Sequence, residues 1–189
     1  MMNNINNPHT IIIDIGKTHV KLHVLDKFNS SAISKQMGNS VDNSSLYPCA
    51  NVGKIWDWIC VSIKETTSAL HIHKITITTH GATAALIDRY KHDGDGLVLP
   101  VLDYEYVNTL TDIPEYNDIR PCFADTYSPS LPAGLNLGRQ LFWLKQVYPA
   151  QFNAATDILM YPQYWAWRFT GKRVSEITSL GCHTDLWSI

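Results

Sequence analysis

Three consecutive β-branched residues, Ile11, Ile12 and Ile13, form the first apolar run of the chain. Asp14-Ile15-Gly16-Lys17-Thr18 interrupts it, and Val20 to Leu25 then alternates apolar with polar positions. The pattern predicts a β-hairpin over Thr10 to Asp26 with polar chemistry at its tip. A third short strand is predicted from Ile33 to Gly38, and the Asn, Ser and Pro content of the next stretch, as far as Cys49, marks a surface loop. Asn51 is placed to cap a helix running to about Leu70, in which Val52, Ile55, Ile59 and Ile63 recur at three-to-four spacing while Lys64 and Glu65 face water. Lys74 to Thr79, KITITT, alternates as a strand and runs into HGATAA, a turn of small residues where the backbone can touch a ligand.

Three strands in antiparallel succession, a helix and a fourth strand predict a mixed sheet, because the helical crossover makes the fourth strand parallel to its neighbour. Leu97 to Leu102, LVLPVL, is one more short apolar segment, with Pro100 arguing against a central position; Asp103-Tyr104-Glu105-Tyr106 follows it. Gly134 to Tyr148 predicts a helix with Leu137, Leu141, Leu144 and Tyr148 on one face, stopped by Pro149. Tyr161 to Phe169 predicts another, ended by Thr170-Gly171. Its aromatic residues, Tyr161, Tyr164, Trp165, Trp167 and Phe169, read as core at this spacing and are left out of the site.

With 189 residues and 45% hydrophobic content, the chain can bury one good core. A formal net charge of −2, with Lys and Arg spread along the sequence, gives no basic stripe and speaks against nucleic-acid and anionic-membrane partners. MMNNINNPH lacks the charged start and cleavage site of a signal peptide, so residues 1–9 are expected to be a frayed, disordered tail and the protein cytoplasmic. Cys49, Cys60, Cys122 and Cys182 form no CxxC pair and read as reduced, mostly buried thiols. His71 and His73 read as polar edge residues, and no metal is assigned to them.

The hairpin tip carries the chemistry. A carboxylate at the end of a buried strand is costly unless it meets a cation or hydrogen-bond donors, and Gly16 lets the backbone come close to a ligand. Asp14 can face magnesium while the backbone near Gly16, the Thr18 hydroxyl and the ammonium of Lys17 or Lys21 hold phosphate. Gly16-Lys17-Thr18 is not the end of a P-loop, since Ile11 stands where that motif needs glycine. An ordinary hairpin, in which Asp14 and Gly16 only make the turn, is the competing reading.

In order along the chain, this hairpin, KITITTHGATAALID, DYEY, LPAGLNLGRQLFWLKQVYP and YPQYWAWRFTGKRVSEITSLGCHTDLW resemble the amino-terminal domain of the FGGY carbohydrate kinases. That family belongs to the actin, hexokinase and Hsp70 superfamily. The resemblance runs from about Thr10 to the end, and SEITSLGCHTDLW looks nearest to the rhamnulose and fuculose kinases. It implies an α/β, ribonuclease H-like (actin-like ATPase) domain with a mixed five-stranded sheet and helices on both faces. It also implies ATP-dependent phosphorylation of a ketose or polyol hydroxyl, with ATP and Mg2+ as cofactors and a small sugar as substrate.

By that resemblance Asp14 holds magnesium through water, and Gly16, Thr18 and Lys21 surround the transferred phosphate. Lys17 departs from the small hydroxyl residue frequent at its position. His80, Gly81 and Ala82 match the strand-end turn that approaches the sugar, Asp103 and Glu105 match a polar pair that binds its hydroxyls, and Thr178 and His183 lie in the segment returning to the cleft. The family's catalytic base lies beyond the stretch matching SEITSLGCHTDLW, so no residue here is assigned as base, Asp185 included. Residues 10–189 are therefore expected to be an incomplete first domain without its carboxy-terminal partner, inactive alone and prone to form a homo-oligomer. The alternatives are a non-catalytic sugar-binding or interaction module and a ribonuclease H-type nuclease. The nuclease needs a cluster of carboxylates, and Thr76 to Thr79 supplies none.

Overall fold

The computed structural model describes residues 8–91 and 94–188. In chain order the strands are β1 His9–Ile15, β2 His19–Leu25, β3 Ser31–Gly38, β4 Val41–Asp42, β5 Cys49–Ala50, β6 Ile72–Thr79, β7 Ala84–Ile87 and β8 Asp157–Met160. The helices are α1 Val52–Thr67, α2 Val107–Leu110, α3 Pro114–Ile119, α4 Phe123–Thr126, α5 Leu137–Val147, α6 Pro149–Ala154, α7 Tyr161–Thr170 and α8 Ile177–Gly181. The chain divides into two compact units, Met1–Ser40 with Asn51–His80, and Val41–Ala50 with Gly81–Ile189.

The first unit is a mixed sheet in the order β3-β2-β1-β6, with β1 antiparallel to β2 and parallel to β6. The predicted hairpin, third strand and helical crossover are all present. Ile11, Ile13 and Ile15 of β1 and Val20, Leu22 and Val24 of β2 are each 0% exposed, and their register puts all six on one face. Burying each such side chain stabilises the unit by about 2 kcal/mol. α1 turns its own buried stripe, Val52, Ile55 and Ile59, inward and packs on β2. Its start is capped as read, the Asn51 side chain accepting from the Lys54 N–H at 3.2 Å. It ends before Leu70, where the hydroxyls of Thr67 and Ser68 turn back onto the Ile63 and Lys64 carbonyls.

One expectation about the sheet is corrected here. The sheet has four strands, not five. Leu97 and Leu102 make only isolated bridges, to Ile87 and Cys49, because Pro100 between them has no N–H to extend a ladder. Within this unit α1 covers one face of the sheet. The strand also claims a residue of the expected tail: His9 begins β1 and is 6% exposed, while residues 1–7 lie outside the described residues.

In the second unit β7 pairs antiparallel with β8, and β4 with β5. A core of Leu86, Leu99, Leu102, Leu110, Leu137, Leu141, Leu144 and Met160 fills it. α5 begins at Leu137, later than predicted, because the turn before it is committed elsewhere: Ala133 has φ +49° and the Gly134 N–H donates to Tyr104 O. Pro149 ends α5 and also opens α6, where its missing N–H costs nothing. α7 ends at Gly171 with φ +68°, as its sequence predicts, and buries Tyr161, Tyr164 and Trp165 in edge-on ring contacts of 5.7 and 5.3 Å. Of the four cysteines only Cys49 is buried; Cys60, Cys122 and Cys182 are exposed, against expectation, since none lies on an inward face. Among the described residues no helix is long and apolar enough to cross a membrane.

Candidate functional site

In the first unit the polar residues of β1 and β2 face away from α1. The register places Lys21 opposite Asp14, Gln36 opposite Lys21 and Thr78 opposite Asp14. Gln36, Lys21, Asp14 and Thr78 thus form one polar row across all four strands at the end of the sheet where the hairpin turns. Asp14 and Lys21 are half-buried, which brings opposite charges side by side at reduced solvent screening.

The turn itself is tight. The Gly16 N–H donates to His19 O at 2.9 Å, and a Cβ on Gly16 would stand 3.1 Å from that oxygen. Asn39, which the sequence reading placed in a loop, clamps the turn from outside: its N–H donates to Thr18 O at 2.8 Å and its side-chain amide to Gly16 O at 2.8 Å. Lys17 is half-buried and Thr18 exposed, with its hydroxyl 3.1 Å from His19 Nδ1. His80 joins the same sheet end, its N–H donating to Ile15 O at 3.1 Å. Asp14, Gly16, Lys17, Thr18, Lys21 and His80 are therefore gathered where β1 and β6 end.

The second unit holds the remaining expected residues, and the first turn of α5 organises most of them. Gln140, 2% exposed, donates from Nε2 to Ala82 O at 2.6 Å and to Gly134 O at 2.5 Å. Gly134 in turn donates to Tyr104 O at 2.8 Å. The turn of Gly81 and Ala82 and the segment of Asp103 and Glu105 are thus joined through Gly134 and Gln140. Asp103 shapes its own turn, Oδ1 accepting from the Glu105 N–H at 3.2 Å. Ala82 has φ +52°, a left-handed conformation that costs an L side chain energy and marks a constrained position. Arg139, 3% exposed, ties down the adjacent loop through Nη1 to Leu131 O at 2.8 Å and Ala133 O at 2.6 Å.

Asn136, at the head of the same helix, reaches the C-terminal segment. Its amide donates to His183 O at 3.2 Å and to Asp185 Oδ1 at 3.1 Å. Asp185 is buried and also bound by Tyr116 Oη at 2.6 Å and by Arg120. Burial pushes its carboxyl upward, but the hydrogen bonds from Arg120, Tyr116 and Ser128 outweigh burial and hold it below the ordinary aspartate value. A carboxylate so engaged is a structural anchor.

Thr178 is not brought to the other expected residues: its N–H and hydroxyl both bond to Glu176, at 2.9 and 2.5 Å. Glu176 is the N-cap of α8, and the Thr178 hydroxyl, with the Thr178 and Ser179 N–H groups, lowers its carboxyl to about 2. His183 is exposed with φ +56°. Sequence reasoning missed Asn39, Gly134, Asn136, Arg139 and Gln140. Only the NLGRQ run of polar residues at an otherwise apolar helix start could have drawn attention to the last three.

The model of the FGGY family of carbohydrate kinases, N-terminal domain, matches residues 9–185. The chain belongs to this family. A carbohydrate kinase from Novosphingobium aromaticivorans has a similar structure at 35% identity and a TM-score of 0.83, over 96% of this chain and 38% of that one. Gluconate kinase from Lactobacillus acidophilus matches at 18% identity and TM-score 0.78, over 97% of this chain and 37% of the other. Plasmodium falciparum glycerol kinase with ADP matches at 14% identity and TM-score 0.69, over 97% and 38%. These neighbours bear out the expected actin-like ATPase fold. The chain spans under two fifths of their length. No curated protein matches it.

Proposed function

We propose that this FGGY domain supplies the first phosphate turn and part of the sugar site of an enzyme that transfers a phosphoryl group from ATP to a hydroxyl of a ketose or polyol. The observation that carries the reading is the polar row of Lys21, Asp14 and Thr78 beside the Gly16 turn. The paired charges would stabilise any hairpin, but here they stand beside a close backbone turn on the open face, where a phosphate can reach them.

Magnesium, when bound with ATP, offsets the charge of the phosphate oxygens. A magnesium ion held mainly by phosphate oxygens and water needs only one protein carboxylate. Asp14 would be that carboxylate. Gly16, Lys17, Thr18 and Lys21 offer backbone N–H groups, a hydroxyl and two cations to phosphate. His80, Gly81, Ala82, Asp103 and Glu105 orient the sugar, with Thr178 and His183 as outer contacts. The rhamnulose and fuculose kinases remain the nearest substrate type suggested by the C-terminal segment. The resemblance puts the family's base outside the matched stretch, so the 189-residue chain assayed alone is expected not to phosphorylate sugar at an enzyme-like rate.

The test is a phosphorylation assay with Mg·ATP and a panel of xylulose, rhamnulose, fuculose, gluconate and glycerol. It is run on the 189-residue chain and on the chain fused to the carboxy-terminal domain of an FGGY kinase. Turnover by the fusion alone is expected. Turnover by the chain itself overturns the division of labour, and sugar binding without turnover in either form favours a binding module.

A further inference from the structure

Gln140 stands where two of the expected sugar-contacting segments meet, yet it is 2% exposed and reaches no ligand itself. Both hydrogens of its amide are committed, one to Ala82 O at 2.6 Å and one to Gly134 O at 2.5 Å. Those carbonyls belong to turns more than fifty positions apart in sequence. Each turn needs an outside hold. Ala82 and Ala133 are left-handed without being glycine, at φ +52° and +49°, so the local backbone does not favour the geometry it adopts.

The contact also transmits position. Gly134 lies so close to the next segment that a Cβ there would sit 2.9 Å from Tyr104 O and 3.0 Å from Tyr104 Cα. A displacement of Gly134 O therefore moves Tyr104 and, with it, Asp103 and Glu105. Arg139 fixes the carbonyls of Leu131 and Ala133 on the same loop, and Gln140 links that loop to Ala82. Its amide joins them without charge, which a buried link between carbonyls can use at low desolvation cost.

We propose that Gln140 is a positioning residue that couples the Gly81-Ala82 turn to the Asp103–Glu105 segment and so sets the spacing of the sugar contacts. The proposal rests on the sugar-binding reading above. A donor-free side chain at this position frees the two segments from each other while the helix and core stay in place. The sugar then meets contacts that are individually intact but no longer in register, and it binds more weakly.

Gln140→Met removes both donors at similar side-chain length, and Gln140→Leu removes them with a branched apolar side chain. Both variants are made in the 189-residue chain and compared with it by residue-resolved hydrogen exchange and by calorimetric titration with the same five compounds. In Gln140→Met, exchange at residues 81–83 and 103–106 is expected to rise together by about tenfold, with α7 unchanged. Affinity for the sugar bound by the parent chain falls by about tenfold, roughly 1.4 kcal/mol. Gln140→Leu, equally donor-free, is expected to give the same pattern. Exchange that rises evenly through the unit, or only around residues 131–136, or affinity that stays at the parent value, overturns the coupling. A parent chain that binds none of the five compounds overturns the sugar reading and the sugar role of Gln140 with it, while the exchange pattern still reports separately whether the segments are joined.

Discussion

Arg120 grips the carboxylate of Asp185 at two points, Nε to Oδ2 and Nη2 to Oδ1, both at 2.8 Å. The Asp185 side chain is 1% exposed and that of Arg120 14%. A buried, two-point pair of this kind is worth little against an apolar replacement of both partners, but removing one partner strands the other. Asp185→Ala is expected to destabilise the protein by about 3–5 kcal/mol, seen as a lower urea midpoint. An unchanged midpoint contradicts the anchoring role.

Asp14→Asn separates chemistry from folding. The substitution keeps the size of a half-buried side chain and removes its charge, so the melting temperature of the chain stays the same or rises. In the fusion protein the phosphorylation rate falls by at least about 100-fold, the scale expected for loss of a group that neutralises phosphate charge. Retention of rate within a few-fold assigns magnesium elsewhere.

Glu176 gives a pH prediction. Its folded carboxyl lies at about 2, below the ordinary 4.5, so the cap's contribution is present above about 4.5 and is lost as pH falls toward 2. The amide shifts of Thr178 and Ser179 should titrate together in that acid window. In Glu176→Gln the titration disappears. A midpoint near 4.5 in the parent protein removes the argument for a strong cap.

Two glycines on helices respond oppositely to the same change. A Cβ on Gly138 overlaps the Tyr116 hydroxyl and lies 3.0 Å from Thr184 O, so Gly138→Ala disturbs the network around Asp185 and costs about 1–3 kcal/mol. Around Gly53, in α1, nothing lies within 4 Å of the added methyl. Gly53→Ala should therefore stabilise by about 0.4–1 kcal/mol, through reduced freedom of the unfolded chain. Thermal melts of both variants decide it; equal shifts count against the packing described.

The first unit was readable in sequence because its signals are local. Ile11, Ile13 and Ile15 alternate, Asn51 caps, and KITITT returns as a strand, each within a few residues of the others. The second unit was harder. Ala84–Ile87 is buried at every position and has no alternation to betray a strand, and its partner Asp157–Met160 lies some seventy residues away. The polar pair Asp14 and Lys21 was visible in the hairpin motif, whereas the hydrogen bonds of Gln140 and Asn136 were not. Those depend on carbonyls from distant turns, and the backbone carbonyl is the one group whose use no residue letter announces.

β6 forms an edge of the four-stranded sheet, and Ile75, Thr76 and Thr78 on it are exposed. Lys74 is its sole Lys, Arg, Asp or Glu side chain, and it holds no proline. Such a border is a template on which any extended chain can crystallise into further sheet, and a lone lysine is a thin guard against it. Storage is where this edge would tell: Thr76→Lys is expected to lower the thioflavin T signal of aged concentrated stocks, and an unchanged signal counts against β6 as the pairing edge.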